Sequence, residues 1–130
     1  MTTPIDTERL ASASRSILRV LHAELDQIAA SAVVSNDGIV IASLLSADAD
    51  ADRFGAMCAS LLALATRAAK EVERGELRQL ILDGALGPVL LTRAGNSAVL
   101  AVAAVPRASL GQLILETRKA AAKLHELRQT

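Results

Sequence analysis

The stretch Val99-Leu100-Ala101-Val102-Ala103-Ala104-Val105 has no polar position on either face of a strand. An antiparallel strand with one wet face alternates apolar and polar residues, and this one does not. A sheet built around it must therefore be covered on both sides. Pro106 ends the run. The cover has to be aliphatic, because 52% of the 130 residues are hydrophobic and only 1% aromatic, Phe54 alone. A chain of this length fits one core.

The remaining elements follow from periodicity and punctuation. Leu10, Ile17, Leu18, Leu21 and Leu25 place one face of a helix running to about Gln27, with Asp6 or Thr7 as its cap. Residues 32–35 and 39–43 are β-branched strands around Asn36-Asp37-Gly38, a strong hairpin signal. A second helix is expected over 52–74, with Gly75 at its C-terminal cap. Strands follow at 77–83, 88–93 and 97–105, separated by glycine turns. Ser109 and Gln112 form a capping-box pair for a last helix, which presents Leu110, Leu113, Ile114, Thr117, Ala121, Leu124 and Leu127 on one side. The order is helix-strand-strand-helix-strand-strand-strand-helix. It predicts an α+β chain, a three-layer α/β/α sandwich around a five-stranded antiparallel sheet. Residues 1–7 are expected to be a flexible tail and 8–128 a single domain.

Charge and motif content narrow the chemistry. Fourteen acids balance 14 bases, so the basic excess that phosphate neutralisation demands of nucleic-acid binders is missing. The N-terminus is acidic where a signal peptide is basic, and no apolar run approaches the ~20 residues of a membrane span, so a cytoplasmic protein is expected. Neither a phosphate loop, a G-x-S-x-G nor a C-x-x-C occurs. Gly84 and Gly87 read as a hairpin turn. His22 and His125 lie far apart on amphipathic helices, without further ligands at metal spacing. Cys58 falls on an apolar helical stripe and reads as a buried, inert thiol. Asp48, Asp50 and Asp52 alternate with alanines as a solvated loop that charges a helix start. No catalytic residue, cofactor or metal is expected.

Two segments carry more apolar surface than one sheet contact needs. In the second helix Phe54, Cys58, Leu61, Ala65, Ala68 and Val72 form a stripe, widened by Met57 and Leu64 on one flank and by Leu62 and Ala69 on the other. Ala56, Ala59, Ala63 and Ala65 are small enough for close helix packing. The strand 77–83 is apolar on both faces, with Leu77 and Ile81 on one and Leu80 and Leu82 on the other. As a bare edge it invites aggregation, and pairing with its own copy removes the hazard. Met57, Leu61, Leu64, Ala68, Leu77, Leu80 and Leu82 are the expected homodimer contacts.

The ordered set of elements resembles the Roadblock family, the small dynein-light-chain-type domains also found as bacterial and archaeal GTPase regulators. The carriers are the hairpin from Val33 to Ser43, the Ala/Leu-rich helix, Gly75-Glu76-Leu77-Arg78-Gln79-Leu80-Ile81-Leu82, and the pair Gly87-Pro88-Val89-Leu90-Leu91-Thr92-Arg93 with Ala98-Val99-Leu100-Ala101-Val102. The resemblance implies a roadblock/profilin-like fold with two helices on one face and one on the other. It implies dimerisation through the second helix and third strand, and a Ras-like small GTPase as partner. A small-molecule sensor or a purely structural assembly domain is the alternative. Arg53, Arg67 and Arg93 are expected to be solvated surface arginines, although an arginine finger is conceivable among them.

Overall fold

The computed structural model describes residues 7–129. Its elements are α1 (Thr7–Glu24), β1 (Ile28–Ser35), β2 (Val40–Leu44), α2 (Ala51–Glu71), β3 (Gln79–Gly84), β4 (Gly87–Ala94), β5 (Ala98–Ala104) and α3 (Leu110–Gln129). One antiparallel sheet has the order β2-β1-β5-β4-β3. The α+β three-layer architecture is therefore the one expected. β5 is central, which explains its missing alternation. Its Leu100, Val102 and Ala104 join the core under α1 and α3, while Val99 and Ala101 join the core under α2.

Local chemistry sets the element ends. The β1–β2 turn closes with the Ser35 N–H donating to Ile39 O at 2.8 Å and the Gly38 N–H donating to Ser35 O at 3.0 Å. Gly38 takes φ +87, the left-handed conformation that glycine adopts without strain. Asp50 caps α2 by accepting from the Arg53 N–H at 3.0 Å. Gly55, mid-turn in α2, lets the helix approach the hairpin closely. A Cβ there would lie 2.8 Å from Val40 Cγ2 and 2.9 Å from the Gly38 carbonyl.

Several boundaries differ from expectation. The expected tail falls on residues 1–6, outside the described residues, except Thr7, which opens α1. Asp6, its alternative cap, also lies outside them. α1 stops at Glu24, and β1 begins at Ile28 rather than at 32. Ala29, Ala30 and Ser31 have weak strand preference, but pairing of Ala30 with Ala103 and Ser31 with Val102 holds them extended, after an irregularity between 28 and 30. The C-terminus of α2 is not capped at Gly75. The Glu73 N–H donates to Lys70 O and the Arg74 N–H to Ala69 O, a Schellman arrangement with Glu73 itself at φ +58. The capping box of α3 is half made. Ser109 Oγ accepts from the Gln112 N–H, but the Ser109 N–H is taken by Gln27 Oε1 from the α1–β1 connection. Leu110 remains exposed.

The two faces of the sheet are covered unequally. α1 and α3 pack together on one face, where Leu18, Leu21, Leu90, Leu100, Leu113 and Leu124 are buried. Among the described residues α2 lies alone on the other, chiefly over β1, β2 and β5.

Candidate protein-docking surface

Contact with the sheet uses only a narrow part of α2. Gly55, Cys58 and Leu62 are its buried residues. Cys58 and Leu62 pack with Leu91, Val99 and Ala101, and burial pushes the Cys58 thiol up to about 11. Around the helix from this line, Phe54 is half-buried, and Met57, Leu61, Leu64, Ala68 and Val72 are exposed. Met57 is 55% and Leu64 64% exposed, high values for large apolar side chains. This flank lies on the same side of the sheet as Leu80 of β3, which is paired with Leu91 and packs into the α2-side core.

β3 is an edge strand, open along one side. Its Ile81, Leu82, Asp83 and Gly84 are all exposed. The structure thus brings Met57, Leu61, Leu64 and Ala68 of α2 and Leu80 and Leu82 of β3 to one sheet face. Leu77 requires a correction. It precedes β3, lies in the connection from α2, and packs against the α2-side core with Leu80 rather than sharing a face with Ile81. Strand alternation does not reach it, because the chain there is not yet paired as a strand.

The small residues of α2 also find a different use. A Cβ on Gly38 would come within 3.0 Å of Ala56 Cα and 3.6 Å of Ala59 Cβ. Ala56 and Ala59 therefore admit the β1–β2 turn of their own chain.

Among the candidate arginines, Arg53 is exposed beside Asp50 at 3.8 Å, and Arg67 is exposed. Arg93 is not a free surface group. Its Nε donates to Leu77 O at 3.0 Å and its Nη2 to Thr66 Oγ1 at 2.7 Å, tying β4 to α2 and to the α2–β3 connection. No spacing in the sequence announces this clamp. The same holds for Gln79, whose Nε2 donates to Thr92 Oγ1 at 2.7 Å and to Thr117 Oγ1 at 3.3 Å. His22 Nε2 and Ser31 Oγ lie 2.8 Å apart, and burial holds this imidazole below its ordinary pKa. The His125 ring lies against Gly95. Among the described residues no group of three or more His, Cys, Asp or Glu could hold a metal ion, and no helix is long and apolar enough to cross a membrane.

Residues 17–104 match the Roadblock/LC7 domain. The chain belongs to the Roadblock/LC7 family. Uncharacterized protein MJ1340 of Methanocaldococcus jannaschii is 36% identical over 97 residues, covering 75% of this chain and 84% of its own. Myxococcus xanthus MglB shares the Roadblock/LC7 fold with a TM-score of 0.83 at 22% identity, over 89% of this chain and 94% of that one. Profilin II of Acanthamoeba castellanii matches more loosely, with a TM-score of 0.58 at 17% identity over 78% of this chain and 87% of that one. The roadblock/profilin-like architecture is thus shared well beyond close sequence relatives.

Proposed function

We propose that this protein is a homodimeric regulatory module that binds a Ras-like small GTPase and modulates or localises it, without a catalytic site of its own. The observation that carries the reading is the exposed apolar flank of α2, Met57, Leu61 and Leu64, on the same sheet face as Leu80 and the exposed Leu82 of edge strand β3. Contiguous exposed apolar surface marks interaction sites. A two-fold contact would cover the same surface on both copies and pair the two open edges. Membership in the Roadblock/LC7 family supports the GTPase as partner, docked through apolar contacts near α2 with a polar rim.

Light scattering on a sizing column should return twice the 13.5 kDa chain mass. Leu64→Asp should give a monomer with unchanged far-UV circular dichroism, and an intact soluble dimer would remove α2 from the interface. Pull-down of Ras-like GTPases from the same genome, loaded with GDP or a GTP analogue, tests the partner. Binding in neither state, with no change in exchange or hydrolysis, would sink the GTPase reading while leaving the dimer standing.

A further inference from the structure

The open edge of β3 constrains how two copies can meet. The Arg93 N–H donates to the Arg78 carbonyl at 3.0 Å, so Arg78 turns its backbone groups toward β4. Alternation turns those of Leu80, Leu82 and Gly84 the same way, and those of Gln79, Ile81 and Asp83 outward. Pro88, which has no N–H, accordingly faces Asp83, where the β3–β4 ladder asks for no bond. Two antiparallel copies can exchange bonds only between outward residues. With Ile81 opposite itself, Gln79 meets Asp83, and all three outward residues are paired. With Leu82 opposite itself, Gln79 faces Ala85, beyond the strand. With Leu80 opposite itself, Asp83 faces Leu77, before it.

Side chains favour the first of these arrangements. Gln79, Ile81 and Asp83 share the sheet face covered by α1 and α3, and Gln79 reaches Thr117 of α3, next to Arg118. An acid arriving opposite Gln79 therefore arrives beside Arg118. Arg118, Arg74 and Arg78 rim a cleft of about 810 Å³, also lined by Leu77, Ile81 and Ile114, in which Glu76 is the sole carboxylate. The same register carries the β3–β4 turn of one copy to residues 76 and 77 of the other. That turn holds Leu86, 86% exposed.

We propose that β3 pairs with its own copy about a two-fold axis at Ile81, and that this register seats Asp83 and Leu86 of each subunit in the arginine-rimmed cleft of the other. The inference rests on the dimer proposed above and adds its register and its polar specificity. Acid on the turn and bases around the cleft are self-complementary under a two-fold.

The test uses single cysteines, Leu80→Cys, Ile81→Cys and Leu82→Cys, in the full chain carrying Cys58→Ala, under mild oxidation. Self-paired Ile81 positions have Cα atoms about 5.5 Å apart, within disulfide reach, whereas the other two are separated by more than about 7 Å. Ile81→Cys should crosslink and the others should not. Crosslinking at position 80 or 82 instead overturns the register while the dimer stands. A native dimer that crosslinks at none of the three overturns β3 self-pairing. A native protein that is monomeric at every concentration overturns the dimer itself. Asp83→Arg and Arg118→Asp should each weaken dimerisation about tenfold, and together recover most of the loss. Indifference to both reversals overturns the seating of the turn in the cleft.

Discussion

One face of the sheet is finished within the chain and the other is not. Under α1 and α3, Leu18, Leu90, Leu100 and Leu113 are fully buried, and the two helices also cover each other. Under α2, Cys58 and Leu62 bury against Leu91, Val99 and Ala101, with Val34 buried beside Gly55, and a row of large apolar residues stays in solvent. Both faces draw on the same aliphatic residues, so hydrophobicity does not separate them. The number of helices does. A single helix covers about 10 Å of sheet, roughly two strands' width, and β3 falls outside it. In the dimer proposed above, the finished face supplies the stability of the single chain and the unfinished face supplies the contact.

The largest expected effect tests that division. Leu100→Ala opens a cavity between α1, α3 and the sheet and should cost about 3–5 kcal/mol in urea unfolding. As a contact of the proposed dimer, Leu64 contributes by mass action, so Leu64→Ala should leave the midpoint of dilute protein unchanged and lower that of concentrated protein. Equal, concentration-independent losses would erase the distinction between the faces.

A smaller effect concerns how tightly the lone helix is seated. Gly55→Ala improves helix propensity by about 1 kcal/mol. The new methyl meets Val40 Cγ2 and the Gly38 carbonyl, and the latter belongs to the backbone of a tight turn. A net loss of about 1–3 kcal/mol is expected. A net gain would mean that α2 rides higher on the sheet than the structure shows.

Smaller still is the end of that helix. Glu73 holds a left-handed conformation at φ +58 where glycine is the ordinary occupant. Glu73→Gly should raise unfolding stability by about 0.5–1 kcal/mol. A loss would show that the Glu73 side chain contributes more than its backbone costs.

The faces also respond to opposite ends of the pH scale. His22 lies toward the finished face with its folded pKa lowered by burial, so the unfolded chain binds the proton more tightly. Its contribution is complete above the ordinary value of 6.5 and is lost as pH falls through the folded value. Cys58, under α2, is raised from 9.0 to about 11, so its contribution is complete below 9.0 and is lost as pH rises toward 11. His22→Gln should flatten the acid limb of a stability-against-pH curve, and Cys58→Ala the alkaline limb. Exchange of those two results would reverse the assignment of the groups.

Much of this molecule was readable before folding. The hairpin at Asn36-Asp37-Gly38, the buried line on α3 through Leu113, Thr117, Ala121 and Leu124, and the sheet's two-sided cover all follow from spacing and from glycine's conformational range. Resemblance at the level of element order pointed to the Roadblock family, to which the chain belongs. The excess apolar arc of α2 was readable too, since a stripe is wide whether or not the neighbour is known. Leu77 was not, because alternation is a property of paired strands and its segment is unpaired. Arg93 looked like any surface arginine, because its acceptors, Leu77 O and Thr66 Oγ1, come from distant parts of the chain.

The sequence by itself determined which segments bury apolar residues and with what period, because side-chain direction repeats locally along helices and strands. Only the tertiary structure decided that α2 sits over β1, β2 and β5, that β3 is an edge strand, and that Arg74, Arg78 and Arg118 share one cleft. Those facts depend on which strands become neighbours and which backbone groups they turn outward. Long-range pairing sets both, and no local spacing records them.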